Sequence, residues 1–359
     1  MHDGFLGYLS ELMIKTNKLS FAFPLCRPLG FEKSHSALQD SLIKDIESWG
    51  GNLSFNNEYF LLGSKLIISV YKDPTEYIPF KKYFKPHRVR SYYLLVFKVD
   101  GGICETSISK LIDSIPKDEK YRDELIAHYK NDLPITSIFL EIHNFFLVAN
   151  IAFPGALSTQ KGISFIANKK YEEIEGFYAE DLYGALVTAE RLKWPKLLRV
   201  SILDTWNWLN SSNIIESGLG KNSLGRALAA FSQLTKGSFA ENSTLNIIWA
   251  LLALEAIYTK GNIGLKEQLA SKTEVLLGKK EENKKAFGKM YDFRSRLVHG
   301  DIDIPLRYSL YDGTLEFENF HMDLYESSHI AIATLIATFQ KLIKNNWKGL
   351  EFKYSVNCD

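Results

Sequence analysis

From Asp181 to Asn345 the apolar residues of this chain recur every three or four positions, in one segment after another. That spacing lines one face of a helix, and it is incompatible with the period of two that a half-buried strand requires. It predicts helices over residues 181–192, 196–210, 223–236, 242–259, 264–277, 281–298 and 321–345. Gly220, Gly261, Gly278 and Gly300 punctuate the gaps, as residues that end helices do. Asn242 or Ser243 is suited to cap the fourth helix. Residues 301–317, with Pro305 and the Asp312–Gly313 turn pair, read as a short hairpin or loop. Seven helices with no strand signal among them predict an all-α helical bundle.

The first half reads differently. Residues 36–49 carry Leu38, Leu42, Ile43, Ile46 and Trp49 at helical spacing, and Gly50 and Gly51 follow as a stop. Runs of β-branched and aromatic residues predict strands at 59–62, 65–71 and 91–99. Residues 135–153 and 162–167 read as buried strands, although a continuous apolar run fits a buried helix as well. The expectation is an α+β N-terminal domain, residues 1–178, followed by an all-α domain, residues 179–359.

Charge narrows the function classes. The 43 Lys and Arg against 42 Asp and Glu give a formal charge of +1. A globally basic nucleic-acid coat is excluded, whereas a local basic patch is not. Cys26, Cys104 and Cys358 are odd in number and far apart, which argues against a disulfide scaffold or a zinc ribbon and for reduced thiols. The first residues do not read as a secretory signal. Neither 137–157 nor 245–258 reads as a stretch able to span a membrane. A cytoplasmic protein with no membrane contact is expected. No glycine-rich phosphate loop, HExxH or GxSxG is present, and the histidines do not form a metal set, so no cofactor or metal is expected.

One segment carries chemistry. Met290-Tyr-Asp-Phe-Arg-Ser-Arg-Leu-Val-His-Gly300 places Arg294, Arg296 and His299 within six residues at the end of a predicted helix. An arginine fork matches phosphate oxygens, and a histidine gives and takes protons near neutral pH. Metal-free RNA cleavage needs that pair: a base for the 2′-hydroxyl proton, an acid for the leaving oxygen, and a cation for the developing charge. On a regular helix Arg294 and His299 stand about 140° apart, while Arg296 and His299 share a face. The plain alternative is that His299 caps the helix and the arginines are surface charges. Glu255 follows eight apolar residues: either it is drawn into the core and needs a partner, with Arg294 the expected one, or it lies on the polar edge of its helix and faces solvent. Asp292 and Asp301 are further candidates for that job. Lys284, Lys285 and Lys289, within the basic stretch 279–296, lead into the motif as an RNA track would, the plain alternative being an ordinary solvated helix face. Residues 81–90 form a second basic stretch, read chiefly as a charged loop. A second Arg-x5-His match, Arg122 to His128, lies in a polar helix with no apolar bundle around it.

Tyr291-Asp-Phe-Arg-Ser-Arg-Leu-Val-His-Gly300, preceded by Trp249-Ala-Leu-Leu-Ala-Leu-Glu-Ala-Ile-Tyr258, resembles the HEPN superfamily, specifically the ApeA-like HEPN domains of bacterial phage defence. The resemblance covers about residues 181–348. It implies an all-α bundle that dimerises and joins two Arg/His motifs into a composite site. It implies a metal-independent endoribonuclease acting on RNA, tRNA included, that leaves 2′,3′-cyclic phosphate and 5′-hydroxyl ends. Arg294 would stabilise the phosphate, His299 would do acid–base work and Arg296 would assist. Ser295 takes the supporting place that the family usually fills with Asn, Asp or His. Residues 1–176 would correspond by position to a sensor region for a phage-derived trigger. The alternative is a non-catalytic HEPN module that binds or scaffolds another protein or a nucleotide.

Overall fold

The computed structural model describes residues 19–26, 32–55, 60, 63–83, 93–102, 104–159, 161–166, 169–211, 220–235, 244–261, 263–280, 283–304 and 314–353. The cap at 242–243 lies outside them, as does most of the strand at 59–62, of the basic stretch 81–90 and of the turn at 301–317. The chain forms two compact units, residues 1–148 with 157–177, and residues 149–156 with 178–359.

The first unit is built on six strands: β1 (Leu19–Pro24), β2 (Asn52–Ser54), β3 (Lys65–Tyr71), β4 (Leu94–Asp100), β5 (Gly162–Ile166) and β6 (Lys169–Ile174). They form one antiparallel sheet in the order β2-β3-β4-β1-β5-β6. Its helices are α1 (Glu32–Ser48), α2 (Ile78–Lys81), α3 (Glu105–Asp113), α4 (Arg122–Asn131) and most of α5 (Leu133–Ala152). Side chains alternate across the pleat. Phe21 pairs with Phe97, and with Phe23 they meet Phe139, Phe145 and Phe146 of α5 at ring separations of 5.0–5.9 Å. The opposite face offers Ala22, Leu94, Val96, Ile163 and Phe165 to Tyr77 and Phe80. Each fully buried ring contributes about 1.5–3 kcal/mol, so these two layers hold the sheet. The edge strand β6 is charged, with Lys170 Nζ 2.7 Å from Glu173 Oε1. Charge at an edge discourages pairing with another chain.

α5 corrects one expectation. Residues 135–152 form helix, not strand. An apolar run alone does not choose between the two, but 20 residues is far beyond an ordinary strand. Among the described residues Ile135–Ala152 is long and apolar enough to cross a membrane, again against expectation. Within this structure 67% of it is buried, as in the core helix of a folded domain.

The second unit is helical: α6 (Glu180–Leu192), α7 (Ile202–Ser211), α8 (Ser223–Gln233), α9 (Thr244–Tyr258), α10 (Leu265–Leu277), α11 (Lys284–His299) and α12 (Leu315–Lys344). Every residue of α12 from Ile330 to Gln340 is buried. α6, α9 and α11 pack around it, and α7 and α10 also reach it. Thr334 and Thr338 enter this core because their hydroxyls donate to the carbonyls four residues back, at 2.7 Å. The helix expected from residue 196 begins only at Ile202. Its would-be first turn is drawn into a tertiary contact: Leu198 N donates to Gln340 Oε1 at 2.7 Å, while Gln340 Nε2 donates to Ile151 O at 2.8 Å.

Candidate functional site

α11 carries the motif. Phe287, Met290, Phe293 and Leu297 are its buried residues and fix its inward stripe. Lys284, Lys285, Lys289, Asp292, Arg296 and His299 are exposed. At 100° per residue, Lys285, Lys289, Asp292, Arg296 and His299 fall within a sector of about 80°. The exposed charged row and His299 therefore share one face of the helix. Gly300, at φ +77°, ends it in the left-handed conformation. The Arg296 carbonyl accepts from the N–H groups of Gly300 and of Asp301, the latter at 2.8 Å. His299 thus stays the last residue of the regular helix, about 140° around its axis from Arg294.

Arg294 points elsewhere. Its Nη2 lies 3.6 Å from Glu255 Oε2 on α9, the partner expected from the sequence. Both side chains are mostly buried, at 21% and 15% exposure. At that distance the pair is held by charge more than by a hydrogen bond. The other carboxylate oxygen, Oε1, accepts from the Tyr291 hydroxyl at 3.1 Å. Tyr291 and Arg294 are three apart on α11, so both reach the same carboxylate. Arg294 Nε is buried without a hydrogen-bond partner. Burial pushes the Tyr291 hydroxyl pKa up, and the Glu255 charge adds to the shift. Tyr291 therefore stays protonated and remains a donor near neutral pH.

Two other carboxylates do not hold the arginines as considered. Asp292 is exposed and pairs with Lys266 Nζ on α10 at 2.6 Å. This neutralises the acid within the exposed basic row. Asp301 meets Arg296 only through its backbone, with Arg296 Nη2 3.5 Å from Asp301 O. Ser295 is half-buried on α11. Lys280, counted with the basic stretch by sequence, is buried and cannot serve an RNA track. Its ammonium donates to the Ala270 carbonyl, sits 3.8 Å from Glu274 Oε1 and lies 4.3 Å from the Phe287 ring centre. Burial pushes its pKa down to about 8, with Lys284 adding to the shift and Glu274 opposing it.

Sequence reasoning missed two arrangements. One is the role of Tyr291, which stands in the motif at i, i+3 to Arg294, a relation the spacing does show. The other joins α6 to α12. His329 Nε2 lies 3.7 Å from Asp181 Oδ1, and its Nδ1 lies 3.4 Å from Thr188 Oγ1. Asn246 donates to the other Asp181 oxygen. A Cβ on Gly184 would stand 2.4 Å from the imidazole, so glycine is what lets His329 lie against α6. Nothing in the spacing of residues 181 and 329 announces this pairing.

Among the described residues no group of three or more His, Cys, Asp or Glu side chains is placed to hold a metal ion. Comparison of the chain with protein-family models, curated proteins and solved structures finds no match.

Proposed function

We propose that the chain is a metal-independent endoribonuclease of HEPN type, of the ApeA-like kind, acting in phage defence or a toxin-like response. The observation that carries this reading is the state of Arg294: a motif arginine held mostly buried by the carboxylate of Glu255, on the same helix as an exposed terminal histidine. In the proposed reaction a base takes the RNA 2′-hydroxyl proton, the 2′-oxygen attacks phosphorus, and the 5′-oxygen leaves with a proton from an acid. The products are a 2′,3′-cyclic phosphate and a 5′-hydroxyl. His299 supplies proton transfer, Arg294 binds and stabilises the phosphate, and Arg296 assists. Lys284, Lys285 and Lys289 contact the RNA backbone.

One copy provides one motif histidine, and it stands about 140° around the helix from Arg294. That geometry favours a homodimer in which two motifs supply base, acid and cation together. The N-terminal unit would sense the trigger, and the protein would act in the cytoplasm.

The test is cleavage of total RNA or tRNA by purified protein in EDTA, wild type beside His299→Ala. Cutting that persists in EDTA, leaves cyclic-phosphate ends and vanishes in the variant is the expected result. Cutting that is unchanged in His299→Ala would overturn the assignment. A second reading, a non-catalytic HEPN module, is favoured by one observation: Arg294 already has a carboxylate partner. It predicts no cutting by either protein, with the trigger present or absent.

A further inference from the structure

Tyr291 and Arg294 converge on one carboxylate, each at a different oxygen. An arginine facing a carboxylate with Nε and Nη2 normally forms two parallel hydrogen bonds, one to each oxygen. Here Glu255 Oε2 faces Nη2 at 3.6 Å, but Oε1 accepts the Tyr291 hydroxyl at 3.1 Å. Nε is left buried and unpartnered. A buried donor without a partner is costly, so the half-made pair needs a cause. The tyrosine offers one: a carboxylate oxygen can accept more than one hydrogen bond, so the hydroxyl acts by fixing how the carboxylate is turned, with Oε1 toward Tyr291, and not by filling the oxygen.

We infer that Tyr291 is a positioning residue that keeps Glu255 from closing on Arg294 with both oxygens, and so leaves the guanidinium free to engage a phosphate. This rests on the nuclease reading above. Glu255 holds the arginine at the helix interface by charge, and Tyr291 limits how firmly it does so. An arginine forked onto its own carboxylate would be a structural cation. One held by a single distant oxygen retains donors and charge for a ligand.

Tyr291→Phe tests the idea, because it removes only the hydroxyl and keeps the ring. Three quantities are read on the full-length chain: KM and kcat on RNA, the urea midpoint, and the ¹H–¹⁵N resonance of Arg294 Nε–H. The expected result is a KM raised about tenfold with kcat changed less. The urea midpoint should stay or rise, and the Nε–H proton should move downfield as it gains Oε1. A tyrosine that merely supports the fold would lower the midpoint and leave the Nε–H resonance in place, and that outcome overturns the inference. An unchanged KM in a cutting enzyme overturns it as well. If wild type cuts no RNA, the nuclease reading fails separately. The resonance then decides alone: a downfield shift in Tyr291→Phe upholds the clamp, and an unmoved signal removes it.

Discussion

Two segments of this chain carry an arginine followed shortly by a histidine, and the structure treats them in opposite ways. On α4, Arg122 Nη1 donates to the carbonyls of Ile115 and Pro116, the latter at 3.0 Å. It ties down the turn before its own helix. His128 pairs with Asp132 one turn on, at 3.0 Å, with both side chains at least half exposed. Every one of these partners is local. On α11, Arg294 instead meets a carboxylate and a tyrosine hydroxyl converges on the same group, with Glu255 supplied by another helix 39 positions back in sequence. The spacing of a motif is therefore weak information. What distinguishes the two segments is whether the arginine is satisfied by its own turn or by a tertiary carboxylate in a mostly buried setting.

The largest expected effect separates the two arginines directly. Arg294→Ala should lower the rate of RNA cleavage in EDTA by about 10²–10³-fold, the usual loss for a donor to a developing oxyanion. Arg122→Ala should leave the rate within about twofold, since its contacts are confined to the preceding turn. Equal losses, read as initial rates on one RNA, would break the contrast.

Lys280 sharpens the same principle through pH. It too is a cation satisfied by tertiary partners, and burial lowers its pKa to about 8, below the roughly 10.4 of an unfolded lysine. Between those values the unfolded chain holds a proton that the native chain has released, so stability rises with pH across that window. Below about pH 8 both states are protonated and the cost of burying the charge is fully present. Lys280→Met should remove this dependence, and urea midpoints at pH 7.5 and 9.5 for wild type and variant measure it. A parallel rise in both proteins would remove Lys280 as the cause.

The smallest effect is expected on α4. His128→Ala should change stability by no more than about 0.5 kcal/mol, because an exposed i, i+4 pair gains little in water. A loss above about 1.5 kcal/mol in urea unfolding would show that this segment is tied into more than its own turn.

Most of the helical half was legible. α6 and α8 to α11 fall where apolar spacing put them, because a helix buries one stripe and a stripe leaves a period in the sequence; α12 begins at Leu315, six residues before the expected start and inside the stretch read as a loop, where Thr314 caps it. Gly300 ended α11 as expected. Strands β3, β4 and β5 were legible from their β-branched and aromatic runs. β1 and the charged β6 were not, since β1 is buried on both faces and shows no alternation, and four of the six residues of β6 are charged. α5 was read as a strand with a helix left open, because a nearly continuous apolar run has no period that separates the two. At the site, Glu255 was found because a carboxylate after eight apolar residues demands a partner. Lys280 was misplaced because charge alone says nothing of whether aromatic rings will close over it.

By itself, then, the sequence determined which stretches of the second unit are helices, where α11 stops and which residues on it are chemically capable, all of them local properties of propensity and periodicity. Tertiary structure decided which side chains meet: Tyr291 and Arg294 on one carboxylate, His329 against Asp181 across 148 positions, and Lys280 under Phe287. Such pairings depend on how helices pack and rotate about their axes. The net stabilisation that selects them is a small difference between large burial and entropy terms summed over the whole unit, and no local window of sequence contains that sum.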